Sequence, residues 1–306
     1  MAEIEISKIN ELARLTPCEM IAEAEREYEK KVRQVADRIC DDESISLVLL
    51  AGPSGSGKTT TAHRIAERLE QTGREAHIIS LDNYFRTFTP EETELFLRHE
   101  LDLESPERLD GELLASQLEQ LVKGREVELP RYDFTTNTSH PSGELLKLHP
   151  GEILIFEGIH ALNPSVLGSS DEYSTRIYVS VRTRIDHPTA DGRALLHPSK
   201  VRVARRMIRD RRERARSLSA VAELYDSVER GENLYIMPFK HRADFDVDTF
   251  VPYELCVYKN FLPTGLPEEQ AKYPWLTEMF DVLNALPTID DQLIPKDSLM
   301  REFIGK

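Results

Sequence analysis

Between residues 16 and 40, apolar positions recur at steps of three and four: Ile21, Ala24, Tyr28, Val32, Val35 and Ile39. That spacing predicts one long helix with an apolar face that packs on something. Its start, Thr16-Pro17-Cys18-Glu19, reads as an N-cap, a proline at the first helical position and an acid closing a capping box. The polar stretch "CDDES" ends it. The pattern then changes to short unbroken apolar runs, which predict buried strands. These are Leu47 to Ala51, "EAHIIS", "EILIF" and "TRIYVSV". Lys58 to about Gln71 reads as a helix broken at Thr72-Gly73. Further helical stretches fall near 90–100 and 110–123, followed by an extended, turn-rich region over 125–151. Strands alternating with helices predict an α/β fold with a doubly wound, mostly parallel sheet. Ligands of such sheets bind beyond the carboxyl ends of the strands. The glycine-rich turn after Ala51, together with Asp82 and Glu157, falls on that edge. Residues 200–230 read as a long helical stretch. Prolines and glycines punctuate short helical pieces over 261–306. The implied organisation is a helical extension (1–43), an α/β domain (44–260) with a lid over 200–216, and a carboxy-terminal arm (261–306) packed on that domain.

Composition narrows the class. Forty per cent hydrophobic content over 306 residues is ordinary for a globular chain. The longest apolar runs fall far short of the roughly 20 residues a membrane helix needs, so no membrane partner is expected. The acidic start "MAEIEISKIN" lacks the apolar segment of a signal peptide. Cys18, Cys40 and Cys256 form neither a disulfide framework nor a metal knuckle. They fit a reducing, cytoplasmic setting. The formal charge of −15 argues against a nucleic-acid partner. Residues 200–216, "KVRVARRMIRDRRERAR", run the other way, with one Lys and eight Arg against one Asp and one Glu. A local basic cluster on an acidic protein points to a small anionic ligand.

The candidate chemistry starts at Gly52-Pro53-Ser54-Gly55-Ser56-Gly57-Lys58-Thr59, which fits G-x-x-x-x-G-K-[ST] at every fixed position. Gly52, Ser54, Gly55, Ser56, Gly57, Lys58, Thr59 and Thr60 are the expected nucleotide-phosphate contacts. The glycines let several N–H groups face one anion, and the following helix adds its positive end. Lys58 is placed for the β- and γ-phosphates and the Thr59 hydroxyl for Mg²⁺. Asp82 and Glu157, at two strand ends on the same edge, supply a general base and metal-site carboxylates. The arginines of 200–216 read as a lid that neutralises a transferring phosphoryl group. Helical spacing places Arg202, Arg206, Arg209 and Arg216 broadly on one side, with Val203, Met207 and Ile208 as the seat.

Taken in order along residues 20–304, "GPSGSGKTT", "SLDNYF", "LESPERLD", "LPRYDF", "IFEGIHALN", "RRMIRDRRERARS", "GENLYIMPF", "ADFDVDTFVPYEL" and "IPKDSLMREFIG" resemble the phosphoribulokinase/uridine kinase family of P-loop kinases. The bacterial uridine-kinase-like branch is the nearest match. The resemblance implies a P-loop kinase fold, with Asp82 as catalytic base and metal contact and Glu157 as the acidic metal-site residue. It implies lid roles for Arg206, Arg209, Arg214 and Arg216 toward phosphates and acceptor. It also implies an acceptor pocket with Tyr84, Tyr132 and Phe134, and Glu104 where nucleoside kinases hold the ribose hydroxyls with an aspartate. Those kinases place a base-contacting histidine where this chain has Asn137; the nearest histidine is His140.

The expected activity is a Mg²⁺-dependent kinase using ATP or GTP on a hydroxyl of a small molecule. The 5′-hydroxyl of uridine or cytidine is the leading acceptor. A different polyhydroxylated alcohol (a sugar, polyol or vitamin precursor) is the alternative, and a non-catalytic nucleotide sensor stands behind both. The sequence leaves nucleotide-base preference and homo-oligomerisation open.

Overall fold

The computed structural model describes residues 2–98, 100–167, 173–263 and 266–305. Its strands, in chain order, are β1 (Glu3–Glu5), β2 (Leu47–Ala51), β3 (Ala76–Ser80), β4 (Val127–Asp133) and β5 (Thr138–Leu146). There follow β6 (Ile153–Glu157), β7 (Ser174–Ser180), β8 (Arg184–Thr189), β9 (Gly192–Leu196) and β10 (Phe245–Asp248). The central sheet has the order β10-β7-β2-β6-β3, and every pair in it is parallel. Alternate residues of β2 feed two different cores: Val48 and Leu50 pack on one side, Leu49 and Ala51 on the other. Burial on both faces is why the strands read as unbroken apolar runs. Ser80 of β3 sits beside Glu157 of β6, so the two strands deliver their acids to one level.

The helix Pro17–Cys40 forms as its periodicity predicts, with Met20, Ile21, Tyr28, Val32, Val35, Ala36 and Ile39 buried. Its expected capping box does not. A shorter helix, Ile6–Leu15, runs almost into it, and Thr16, at φ −141° and ψ 55°, makes no side-chain cap. The Thr16 N–H instead closes the preceding helix on Leu12 O. The long helix lies along the helix Lys58–Gln71, where the Tyr28 and Thr61 hydroxyls meet at 2.9 Å. β1 pairs in parallel with β8, and β8 with β9, forming a second small sheet.

The basic stretch is not one long helix. It divides into Pro198–Glu213, Leu218–Glu223 and Tyr225–Gly231. The first ends where Asp210 O accepts from both Arg214 N and Arg216 N and Ala215 turns left-handed at φ 51°. The turn-rich region is the β4–β5 hairpin, with Asn137 at φ 55° in its turn. The sheet's outer strand, β10, has four residues, too few for a periodic signal in the sequence. The arm carries the helix Trp275–Ala285, whose Leu276, Met279, Phe280, Val282 and Leu283 join the main core. No helix among the described residues is long and apolar enough to cross a membrane.

Candidate active site

The glycine-rich turn links β2 to the helix Lys58–Gln71. Gly55 (φ 74°) and Gly57 (φ 84°) take left-handed conformations that favour glycine. A Cβ on Gly55 would also stand 2.8 Å from Arg202 O. Three successive carbonyls of the turn are claimed by protein donors. Arg202 Nη1 donates to Ser54 O at 3.2 Å, Arg205 Nη1 to Gly55 O at 3.2 Å and Thr249 Oγ1 to Ser56 O at 2.7 Å. These donors hold the turn in the shape that such loops use to present N–H groups to an anion. Of those N–H groups, Ser56 N already donates to Pro53 O at 3.2 Å and Thr60 N to the Glu302 carboxylate at 3.1 Å. Lys58 Nζ rests on Pro53 O at 3.3 Å.

β6 ends in Glu157 and β3 leads into the single 3₁₀ turn Leu81–Tyr84 that carries Asp82. Glu157 Oε1 accepts from Ser80 Oγ at 2.7 Å and from Thr59 Oγ1 at 3.4 Å. Burial, reinforced by the charge of Asp82, holds the Glu157 carboxyl above the usual carboxylate range; Lys58 and Ser80 oppose the shift. Two carboxylates and a threonine hydroxyl form a hard-oxygen donor set that suits Mg²⁺. The crowding of acids there is what a divalent cation relieves.

Beyond the acids, the cleft opens to about 860 Å³ including its mouth. Its far wall is aromatic. Tyr132 and Phe134 meet edge to face at 5.0 Å, and Phe85 meets them at 5.6 and 6.2 Å. Glu104 lines the same cleft, its carboxyl raised first by burial and then by Asp82 and Glu232, against Arg206 and Lys58. Arg214 lies against the aromatic wall, its guanidinium 4.0 Å from the centre of the Phe134 ring.

One acid organises the arginine cluster. The Asp210 carboxylate, fully buried, lies 2.8 Å from Arg209, 3.4 Å from Arg206, 3.5 Å from Arg216 and 3.7 Å from Arg214. Burial alone would raise its carboxyl; Arg209, Arg214 and Arg206 outweigh that and hold it at about 2. Arg214, buried beside Arg209, drops to about 10. The four guanidiniums share Asp210 as an ion-pair partner, while Asp82, Glu104 and Glu302 of the same cleft add their charge to the balance.

The structure gathers Ser54, Gly55, Lys58, Thr59, Asp82, Glu104, Tyr132, Phe134, Asn137, Glu157, Arg206, Arg209, Arg214 and Arg216 around one cleft. Gly52, Ser56 and Gly57 are buried in the loop itself, and Thr60 stands in the first turn of the helix after it. Asn137 reaches the cleft lining, whereas His140 is exposed and turns its Nδ1 to Pro141 O at 3.0 Å. Tyr84 is a correction: its side chain is buried away from the cleft and its hydroxyl donates to Gln117 at 2.7 Å. The 3₁₀ turn presents Phe85 instead. Arg202 also departs from the expected lid face, pairing with Glu232 at 2.8 Å behind the loop. Sequence reasoning missed Asp210, the one acid amid the arginines of the helix. It missed Arg108, which lines the cleft while paired with Glu92 at 2.5 Å. It also missed Glu302, which the arm brings to the cleft from the far end of the chain.

Residues 47–186 match the phosphoribulokinase / uridine kinase family. The uridine kinase of Lactobacillus helveticus (strain DPC 4571) is 36% identical over 202 residues, 66% of this chain and 85% of that one. That of Staphylococcus haemolyticus (strain JCSC1435) is 34% identical over 203 residues, 65% of this chain and 85% of that one. Among solved structures, a kinase ascribed to a fructose transport system from Silicibacter sp. TM1040 aligns with a TM-score of 0.50 at 19% identity. It covers 70% of this chain and 98% of that one, a likeness of fold. On the identity and coverage of these relatives, the chain belongs to the phosphoribulokinase/uridine kinase family and is a phosphotransferase acting on an alcohol hydroxyl.

Proposed function

We propose that this kinase transfers the γ-phosphate of ATP, or of GTP, to the 5′-hydroxyl of a pyrimidine nucleoside. The observation that carries the reading is that Asp82, the phosphate loop and the Tyr132–Phe134 wall line one cleft. A nucleoside lying on that wall would turn one hydroxyl toward Asp82 and others toward Glu104. Asp82 accepts the hydroxyl proton as the oxygen attacks the γ-phosphorus in line, and the nucleoside diphosphate leaves. Lys58, Arg206, Arg209, Arg214 and Arg216 take up the charge on the transferring oxygens. Thr59, Asp82 and Glu157 would hold Mg²⁺, which when bound neutralises charge between the phosphates. The named relatives, uridine kinases, support the choice of acceptor.

A second acceptor class, a small polyhydroxylated alcohol without a base, is favoured by one observation. Arg214 already covers the face of Phe134, where a base would stack. An acceptor screen with ATP and Mg²⁺ across nucleosides, sugars, polyols and vitamin precursors decides between them. If uridine and cytidine both give kcat/KM below about 10² M⁻¹s⁻¹, far under the usual enzyme range, the nucleoside reading falls.

A further inference from the structure

Thr60 is the third residue of the helix Lys58–Gln71, and its backbone N–H is one of the donors such a helix start leaves without an internal partner. Both donors of Thr60 go to a single oxygen. Glu302 Oε2 accepts from Thr60 N at 3.1 Å and from Thr60 Oγ1 at 2.6 Å. Glu302 comes from the short arm helix Arg301–Ile304 and lines the cleft beside Lys58 and Thr59. The arm is seated rather than draped. Leu299 packs so closely on Gly57 that a Cβ there would stand 2.6 Å from Leu299 Cδ1. Arg212 Nη1 donates to Phe303 O at 2.7 Å, and the Arg205 guanidinium lies 5.0 Å from the Phe303 ring.

We propose that Glu302 is a residue of the nucleotide site: an internal carboxylate that occupies a phosphate position at Thr60 and that nucleotide displaces on binding. The inference rests on reading the loop as a nucleotide-phosphate site. Loops of this sequence offer the N–H groups at their helix start to nucleotide phosphates. A carboxylate oxygen accepting from those same donors is the nearest protein equivalent of a phosphate oxygen. Two anions cannot share the donors of one residue without strong repulsion. Nucleotide and Glu302 are therefore competitors, and the apparent affinity for nucleotide is the intrinsic affinity scaled by the fraction of molecules with Glu302 released.

The test is calorimetric titration of the full-length wild type, Glu302→Gln and Glu302→Ala with ADP and, separately, with inorganic tripolyphosphate. Lys58→Ala serves as the loop control. Both Glu302 variants are expected to bind both probes roughly tenfold more tightly, the factor for a site that Glu302 fills about nine times in ten. In the wild type, saturating tripolyphosphate is expected to speed amide exchange across residues 301–305, a readout that needs no variant to fold. Unchanged or weaker binding by the variants, or slowed or unchanged exchange in the wild type, overturns the proposal. Tighter binding of ADP with tripolyphosphate unaffected also overturns it, because Glu302 would then be acting on the nucleoside moiety. If the wild type binds neither probe, or Lys58→Ala binds them equally well, the phosphate-site reading itself fails and takes this inference with it.

Discussion

Arg205 and Glu254 form an ion pair wholly shut off from solvent, with Nε 2.7 Å and Nη2 3.0 Å from the two carboxylate oxygens. The third nitrogen of that guanidinium reaches Gly55 O and Thr249 Oγ1, both at 3.2 Å. A buried pair is thus wired into the phosphate loop. Removing one partner of such a pair typically costs about 3–5 kcal/mol, because the other charge is left uncompensated, whereas replacing both with apolar residues is often near neutral. Arg205→Met should therefore lower stability by about 3–5 kcal/mol in urea unfolding. Arg205→Met/Glu254→Leu should regain most of that. Nucleotide affinity should fall in both, since neither holds Gly55 O. Recovery of affinity along with stability in the double variant would show that the pair is only structural.

Asp210 gives a pH-dependent prediction with a definite sign. Its folded carboxyl is held at about 2, below its usual value. The stabilisation is therefore fully present above about pH 4, where the unfolded carboxyl is ionised, and is lost as pH falls toward 2. Asp210→Asn should cost about 2 kcal/mol at pH 7, and the gap between variant and wild type should narrow below pH 4. A gap that stays constant down to pH 2.5 would mean that ionisation of Asp210 is not what holds the arginines.

Lys58→Ala should abolish turnover while shifting the melting temperature little. Its Nζ donates to Pro53 O, and the side chain sits in the cleft rather than in either core. A large loss in melting temperature would make Lys58 a structural residue.

Asp82→Asn should lower kcat by roughly 10²- to 10⁴-fold, the usual worth of a positioned base. Binding of nucleotide alone should change far less, because the loop supplies most of it. Single-turnover kinetics separate the two effects, and near-wild-type chemistry in the variant would remove Asp82 from the base role.

The parts of the site that follow from local rules were legible in the chain. The loop motif, the strand before it and the helix after it depend on neighbours in sequence, as do the acids at the ends of β3 and β6. What escaped depends on distant partners. Eight arginines in one stretch look alike, yet Arg205 is drawn into the core by Glu254, Arg202 is held by Glu232, and Arg206 and Arg209 face Asp210. No spacing rule separates them, because what differs is the element each one meets. Tyr84 and Phe85 illustrate the same limit at one-residue resolution: a 3₁₀ turn, not a continued strand or an α-helix, decides which ring faces the cleft. The failed cap at Thr16 has a local cause, since a second helix ending at Leu15 imposes the backbone on it.

The three donors that hold the loop carbonyls come late in the chain. The loop is fully written by Thr59, but its clamps are Arg202, Arg205 and Thr249. At synthesis rates of roughly 5–20 residues per second, the intervening stretch of about 190 residues takes roughly 10–40 s to emerge. Throughout that interval a nascent chain displays the motif without the donors that hold its carbonyls. Stabilisation by any ligand that needs the clamped loop belongs to the finished chain, where it acts on unfolding rather than on the first steps of folding.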